Sequence, residues 1–295
     1  MQQFFHRRSK IRGFLLAGLA LVGSHSFAAD LFTDSFESGN LSHTENSVKW
    51  ESGAYTSVTT SVAHTGTHSL LFAYAAGDDS WAEQRFNLGK DYTEVYIEWY
   101  AYYPSGKEGN LGPRFAHSAA SGPKNNKFLR IWKGDTSDGD EGYSKFYVKL
   151  GASTDLSASG TGDERIYGEY GTDGGGMGPN GPTGSGTYAG GGESFITDTY
   201  RGRWINMKVH VKVASAANND GVIEIWRDGA LISSVKNLAI YPSGGTGNAL
   251  NVGYLMGWAN AGFAQNTNMY IDDVRISTSG TAAATPSPPT SVSVQ

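Results

Sequence analysis

Cysteine is missing from the 295-residue sequence, so no disulfide bond supports the fold. Stability must come from a hydrophobic core, and a chain of this length is able to bury one. An excess of basic charge is missing as well, because 28 acidic residues outnumber 23 lysines and arginines. A protein with this overall charge does not attract nucleic acid or an acidic membrane surface. We therefore expect no nucleic-acid partner, and an anionic ligand would need a local basic patch.

Long hydrophobic runs are rare, and the one that is present, "GFLLAGLALVG", lies near the N terminus. Four basic residues and no acidic residue precede it, and the small residues of "SHSFAAD" follow, as in a secretory signal peptide. The run is too short to span a bilayer comfortably. We predict a signal peptide over residues 1–28, a secreted or periplasmic protein and no membrane span. Removing residues 1–28 leaves 19 basic residues against 28 acidic ones, a formal charge of −9.

Helical periodicity is also missing, and strand-like runs separated by turn residues take its place. Runs such as "TEVYIEWYAYY", "KFLRIW" and "WINMKVHVKVA" recur along a chain that contains 40 glycines. The "RDGA" between "VIEIW" and "LISSV" has the Asp-Gly signature of a hairpin turn. So many short strands predict an all-β protein, an antiparallel two-sheet β-sandwich or jelly roll over residues 29–278.

Two segments do not fit the strand pattern. Residues 168–193 are rich in glycine, and we predict a long loop there, either a disordered insertion or a mobile flap over a binding cleft. Residues 279–295 are rich in proline, serine and threonine, and we predict that they form a linker or tail.

The run "NKFLRIW" carries an arginine between two aromatic residues. Read as a strand, it places Phe128, Arg130 and Trp132 on one face. A strand that only fills a core has no use for the guanidinium, whereas a sugar-binding groove would use all three side chains. We therefore predict a groove for an acidic or neutral polysaccharide. The alternation of other runs adds these basic and aromatic side chains to it: Arg85, Lys149, Tyr100, Tyr147, Tyr254 and Trp258.

The order of several motifs resembles that of secreted carbohydrate-active jelly rolls. "FESGNL", Trp50, "VAHTGTHSL" and "YIDDV" resemble the front part and last strand of carbohydrate-binding modules. The length of the domain and the "WINMKVHVKV" and "DGVIEIWRDGALI" runs look more like the concanavalin-A-like jelly rolls of alginate, heparin and glucuronan lyases. The resemblance implies a concanavalin-A-like fold and a polysaccharide lyase, and it covers nearly all of the chain after the predicted signal peptide.

The resemblance to binding modules also implies a structural calcium ion between the first and last strands. Ca²⁺ takes several oxygen ligands, which carboxylates and backbone carbonyls in "HTGTHS" would supply. The carboxylates are Asp34 or Glu37 near the first strand and Asp272 or Asp273 in the last. Alternatively, these acids are only solvated residues at strand ends. No organic cofactor is expected, and the histidines show no close pair of zinc ligands.

The resemblance to lyases assigns chemical roles within the groove. Alginate lyases of this fold use an arginine strand, a Gln–His strand and a "Y-x-K" strand. Here "QRF" offers Arg85, and "YVKLG" offers Tyr147 and Lys149, while "RIW" takes the place of the Gln–His pair with Arg130 and no histidine. The cations would neutralise the carboxylate of a uronate, and Tyr147 would act as both base and acid if they lower its pKa.

Several alternatives are open at this point. His117 and His210 are other candidate bases, and the groove charges could instead form a ladder with Glu83 and Glu98 on a solvated sheet. A non-catalytic carbohydrate-binding protein with the same groove is the main alternative function. A glycoside hydrolase is disfavoured, because no run contains the closely spaced carboxylates that laminarinase-like relatives of this fold carry.

Overall fold

The structure of the protein is a computed structural model. It describes residues 30–103, 124–134, 145–152, 164–171, 186–196, 198–215, 220–238, 249–263 and 266–280. The predicted signal peptide, residues 281–295 of the predicted tail and His117 lie outside the described residues. Within the described part of the chain, no helix is long and apolar enough to cross a membrane.

Most of the described residues lie in β-strands. The strands are β1 (Asp30–Asp34), β2 (Thr44–Glu45), β3 (Val48–Ala54), β4 (Thr56–Thr59), β5 (Ser69–Tyr74), β6 (Gly77–Tyr92), β7 (Glu94–Tyr102), β8 (Lys124–Trp132), β9 (Lys145–Ala152), β10 (Glu164–Gly171), β11 (Gly186–Ile196), β12 (Trp204–Lys212), β13 (Gly221–Arg227), β14 (Ala230–Leu238), β15 (Leu250–Phe263) and β16 (Thr267–Ser277). A 3₁₀ turn at Asp198–Tyr200 precedes β12.

The strands form two antiparallel sheets. The first sheet has the order β14-β13-β12-β7-β16-β5-β4, and β1 pairs with β16. The second sheet has the order β11-β10-β9-β8-β15-β6-β3-β2. The all-β two-sheet prediction is confirmed. The groove prediction requires "KFLRIW", "FYVKL" and "GYLMGW" to share a sheet, and they do, as β8, β9 and β15 of the second sheet.

A hydrophobic core joins the two sheets. In β7 of the first sheet, Val95, Ile97 and Trp99 are buried and alternate with partly exposed residues. In β6 of the second sheet, Phe86 and Leu88 belong to the same core. Burying a side chain of this size contributes about 1.5–3 kcal/mol, so the alternation fixes which face of each strand points inward.

The Asp-Gly hairpin connects β13 and β14 as predicted. Arg227 pairs with Ala230 across the turn, and the two central residues, Asp228 and Gly229, have φ values of 49° and 79°. Positive φ at both central positions is the geometry of a type I′ turn, which aspartate and glycine adopt at little cost.

The glycine-rich residues 168–193 do not form a loop over their whole length. The residues up to Gly171 continue β10, and those from Gly186 lie in β11. β10 pairs with β9 on one side and with β11 on the other. Ladder hydrogen bonds join backbone groups, so neighbouring strands hold glycines that have a weak strand preference of their own. The loop prediction was therefore wrong for these two parts, and residues 172–185 lie outside the described residues.

Candidate active site

A cleft of about 500 Å³ lies on the face of the second sheet that is turned away from the core. Its walls come from the neighbouring strands β6, β15 and β8. The lining residues are Trp81, Glu83, Arg85, Lys127, Arg130, Tyr254 and Trp258. Cationic, aromatic and carboxylate side chains thus meet on one surface.

Strand β6 supplies one wall by regular alternation. Trp81, Glu83 and Arg85 line the cleft, whereas the intervening Ala82 and Gln84 are fully buried. Nε of Arg85 donates a hydrogen bond to Oε1 of Glu83 over 2.7 Å, and Glu83 is only 4% exposed. This part of the charge-ladder alternative is therefore present. Trp81 was not among the predicted site residues, although its spacing of two and four residues from Glu83 and Arg85 signals the same face.

Strand β8 supplies the opposite wall through a β-bulge. Leu129 pairs with Val148 and Lys127 with Lys149, so β8 has one residue more than β9 between these two pairs, and that residue is Phe128. The extra residue changes the alternation. Phe128 is 1% exposed and packs in the core, where its ring meets an aromatic neighbour edge to face.

The bulge corrects two expectations about this wall. Phe128, predicted to bind sugar, faces the core and cannot reach the cleft. Lys127, which a simple alternation would put on the face opposite Arg130, lines the cleft beside it. A simple alternation of period two contains no signal for the extra residue, so the sequence could not reveal this change of face.

Arg130 is held by aromatic neighbours. Its guanidinium carbon lies 4.7 Å from the ring centroid of Trp132, and that ring meets Tyr254 at 5.8 Å and 69°. Trp132 is only 1% exposed, so its ring packs against Arg130 and does not offer a surface on which sugar could stack. Cation–π contacts of this kind contribute about 0.5–2 kcal/mol. Tyr254 lines the cleft, where the sequence places it.

A row of paired residues runs across the sheet through the predicted catalytic positions. Arg85 pairs with Tyr254, Tyr254 with Arg130, and Arg130 with Tyr147. Residues that are directly opposite in antiparallel strands have Cα atoms about 4.5–5.5 Å apart. We call Arg85, Tyr254, Arg130 and Tyr147 the arginine row. Lys149, also predicted to be catalytic, pairs with Lys127 in the same β8–β9 ladder.

Gly257 makes room for this arrangement. It has a φ of 131°, which side-chain-bearing residues rarely adopt. A Cβ atom there would lie 2.7 Å from the Tyr254 ring and 3.2 Å from Cβ of Lys127. The β15–β8 register also shifts between Leu255 and Ala259. Irregular backbone on both strands therefore brings Lys127 and Tyr254 close together.

The other end of the cleft is aromatic. Trp81 and Trp258 pair in register, and their rings stack with centroids 5.5 Å apart and planes 9° from parallel. Tyr55 meets the Trp81 ring edge to face at 5.6 Å. Trp258 was predicted to bind sugar, and the structure places it in the lining together with Trp81.

Two predicted residues lie on the first sheet and do not join the cleft. Tyr100 is in β7, and its ring stacks on His64 with centroids 3.6 Å apart. His210 is in β12, where Nε2 lies 2.8 Å from Glu94 and Nδ1 lies 3.0 Å from Glu224. β7 and β12 pair with each other inside the first sheet, so their polar faces are separated from the cleft by the core.

The carboxylates near the first strand are engaged by N–H and O–H donors. Asp34 accepts hydrogen bonds from the Phe36 N–H and from Nε1 of Trp50, both over 2.7 Å. Glu37 accepts them from the backbone N–H groups of Thr67 and His68, over 2.9 and 2.7 Å. These hydrogen bonds hold the pKa of Glu37 below its usual value, with the backbone of His68 as the largest cause.

The carboxylates of the last strand bind the same segment before β5, residues 64–68, that Glu37 binds. Asp272 is fully buried and accepts hydrogen bonds from the backbone N–H groups of His64 and Thr65, over 2.8 and 3.2 Å. Asp273 contacts the His64 ring at 2.6 Å and accepts a hydrogen bond from the Thr65 hydroxyl. Burial raises the pKa of Asp272 to about 6.

These carboxylates form hydrogen bonds within the fold. Those near the first and last strands accept them from N–H and O–H donors of residues 36, 50, 64, 65, 67 and 68. Among the described residues, no group of three or more histidines, aspartates or glutamates is arranged to hold a metal ion. The calcium ion therefore stays a prediction from the resemblance, and no step of the chemistry is assigned to it.

Comparisons with known proteins agree with this geometry. The sequence profile of the polysaccharide lyase family matches residues 36–275. A search of curated protein sequences gives no match. Among solved structures, an endo-β-1,4-glucuronan lyase from the fungus Trichoderma reesei superimposes with a TM-score of 0.55 at 14% identity, over 85% of this chain and 96% of that chain.

Two alginate lyases have the same fold. One from Chlorella virus gives a TM-score of 0.54 at 12% identity, and one from Aplysia kurodai gives 0.54 at 14% identity. Each comparison covers 85% of this chain and 100% of the other. At these identities the structures establish the concanavalin-A-like fold, and the family assignment rests on the sequence profile. The resemblance seen in the sequence motifs is confirmed: the chain belongs to the polysaccharide lyase family.

Proposed function

We propose that the protein cleaves a uronic-acid-containing polysaccharide by β-elimination in the cleft. The observation that carries this proposal is the arginine row, which pairs Arg85, Tyr254, Arg130 and Tyr147 across four adjacent strands. The row brings two arginines and two tyrosines to paired backbone positions, and cations and phenols are groups that β-elimination next to a carboxylate can use.

The cations of the cleft suit an anionic chain. Among the lining residues that the structure describes, Glu83 is the only carboxylate, and Arg85 offsets its charge. Lys127 and Arg130 then give the cleft a positive charge, although the protein as a whole is negative. A guanidinium binds a carboxylate through paired charge-assisted hydrogen bonds. Arg130 and Lys127 would therefore hold and neutralise the carboxylate of the reacting uronate, which makes its C5 proton more acidic.

A tyrosine would move the proton. The base takes the C5 proton, a double bond forms between C4 and C5, and the C4–O bond breaks. The same residue, or a neighbour, then protonates the leaving oxygen, so that atoms and charge balance. Tyr147 is the first candidate because it pairs with Arg130, and nearby cations lower the pKa of a phenol. Tyr254 is the second, because it pairs with both Arg85 and Arg130.

The site of action follows from the sequence of residues 1–28. We propose that they direct export and are removed, so that the protein meets its polysaccharide outside the cytoplasm. N-terminal sequencing of the protein from its native host checks this, and a mature chain that still begins at Met1 would contradict export by this signal.

The decisive experiment is an ultraviolet assay for unsaturated uronate products. Alginate, glucuronan, heparin and pectin form the substrate panel, and neutral glucans and xylans serve as controls. We expect absorbance to increase with at least one acidic polymer and with none of the neutral ones. Binding of a polymer in affinity electrophoresis without any unsaturated product would instead support a non-catalytic carbohydrate-binding protein.

A further inference from the structure

We infer that Trp81 and Trp258 form a separate sugar-binding subsite at the aromatic end of the cleft. We call this pair the tryptophan platform. It would take the apolar face of a pyranose ring in the same polysaccharide chain, at a distance from the reacting unit. This inference rests on the proposed function, which supplies the polysaccharide as the ligand.

The geometry of the two rings supports a binding surface. Their planes are nearly parallel at 9°, and the centroid distance of 5.5 Å is that of an offset stack. An offset stack leaves part of each ring uncovered, and both residues are in fact partly exposed while lining the cleft. Tyr55 packs edge-on against Trp81 and fixes its orientation, although it is itself 62% exposed. Three aromatic rings therefore lie together at this end of the cleft.

The platform is too far from the arginine row to hold the same sugar unit. Trp81 precedes Arg85 by four residues in β6, and Trp258 follows Tyr254 by four residues in β15. A strand rises about 3.3 Å per residue, so along the strands the backbone of the two tryptophans lies about 13 Å from that of Arg85 and Tyr254. A polysaccharide that is cleaved beside Arg130 would therefore reach the platform only through additional sugar units. The platform favours long polymers over short oligosaccharides.

The chemistry of the platform is that of stacking. An indole binds the C–H face of a sugar by apolar contact and does not neutralise a carboxylate. Its loss should therefore weaken the binding of substrate and leave the chemical step intact. Interactions that are equal in the ground state and the transition state raise KM when they are removed and leave kcat unchanged.

The test compares Trp258→Ala and Trp81→Ala with the wild type on a polymer and on its di- or trisaccharide. We expect KM for the polymer to rise about tenfold with kcat retained, a change that corresponds to about 1.4 kcal/mol of lost binding. Values of kcat/KM for the short oligosaccharide should stay within about twofold of wild type, because it cannot span both sites. Trp258→Phe keeps an aromatic ring and should restore most of the affinity.

Trp226→Ala is the matched control, because Trp226 is a partly exposed tryptophan on the first sheet with Lys208 Nζ 4.5 Å from its ring centroid. It should change neither KM nor kcat. Thermal unfolding of each variant checks that the fold is kept. An unchanged KM on the polymer for both platform variants, or an equal loss on long and short substrates, would overturn the platform.

Failure of the proposed function gives a different result. If the wild type forms no unsaturated product from any uronate polymer, the lyase proposal fails, and the platform is tested by affinity electrophoresis alone. Retarded migration that Trp258→Ala abolishes and Trp226→Ala leaves intact would support the platform in that case. Equal retardation of all three proteins would overturn it.

Discussion

The outer faces of the two sheets both carry aromatic and basic side chains. They differ in how these basic side chains are paired with acids. On the first sheet, His210 lies between Glu94 and Glu224, at 2.8 and 3.0 Å. Arg275 on the same face pairs with Asp30 at 2.5 Å and lies 3.6 Å from Glu98. The His210 ring and Arg275 thus each have two acidic neighbours on this face.

On the second sheet, Glu83 is the only carboxylate among the described residues that line the cleft. Glu83 pairs with Arg85 at 2.7 Å, while Lys127 and Arg130 line the same cleft. Tyrosines and tryptophans occur on both faces, so aromatic content does not separate them. Under the proposed function, the local ratio of acids to bases, and not the overall charge, decides which face binds an acidic polysaccharide.

The largest expected difference between the two faces comes from removing one tyrosine hydroxyl group on each. We expect Tyr147→Phe to lower kcat by about 10²–10⁴-fold with KM nearly unchanged, because the variant loses a general acid–base group and keeps its ring. Tyr100→Phe on the first sheet should be silent. Steady-state kinetics by product absorbance measure both. If Tyr147→Phe retains full activity, the base lies elsewhere, and Tyr254 and then His117 are the next residues to replace.

The next largest effect separates the arginines. Arg130→Ala should lower kcat/KM by about 10²–10³-fold, as expected when a group that stabilises developing charge is lost. Arg130→Lys keeps the charge but loses the planar fork, and should recover part of the activity. Arg275→Ala is the matched change on the first sheet. It should lower the melting temperature and leave the activity of the folded protein unchanged; the reverse pattern would contradict the comparison.

A smaller effect concerns Asp272, in β16 of the first sheet, and the pH dependence of the free energy of unfolding. Burial raises the pKa of Asp272 from 3.8 to about 6, so the folded state binds this proton more tightly than the unfolded chain does. The free energy of unfolding should therefore fall as the pH rises from about 4 to 6, by at most about 3 kcal/mol from this group.

We expect Asp272→Asn to flatten this part of the stability profile, as measured by urea unfolding across that pH range. Asp273→Asn is the control, since it alters the neighbouring contacts with His64 and Thr65. An unchanged slope in Asp272→Asn would show that the pH dependence has another origin.

The smallest expected effect is that of a chelator. A calcium ion bound only to the native state would stabilise it by mass action, and excess chelator would then lower the melting temperature. An unchanged melting temperature in excess chelator would contradict the predicted ion. A drop that added Ca²⁺ reverses, and that Asp272→Ala or Glu37→Ala abolishes, would establish the ion.

Alternation along single strands was enough to predict much of the molecule. It indicated two antiparallel sheets, the turn at Asp228 and Gly229, and the shared face of Glu83 and Arg85, all of which the structure has. These features depend on neighbours in the sequence or on the period of two that every strand imposes on its side chains. The position of Tyr254 and Trp258 in the cleft follows from the same rule.

Only the tertiary structure decided that β7 lies outside the sheet of the cleft and where alternation breaks. Tyr100 has the pattern of a groove residue, yet β7 pairs within the first sheet, and strand pairing is set by contacts distant in the sequence. Phe128 and Lys127 exchange faces because one extra residue enters β8, which the partner strand and the packing of Gly257 make possible. The sequence by itself determined the elements and their faces, whereas long-range pairing of the backbone decided which faces meet to form the cleft.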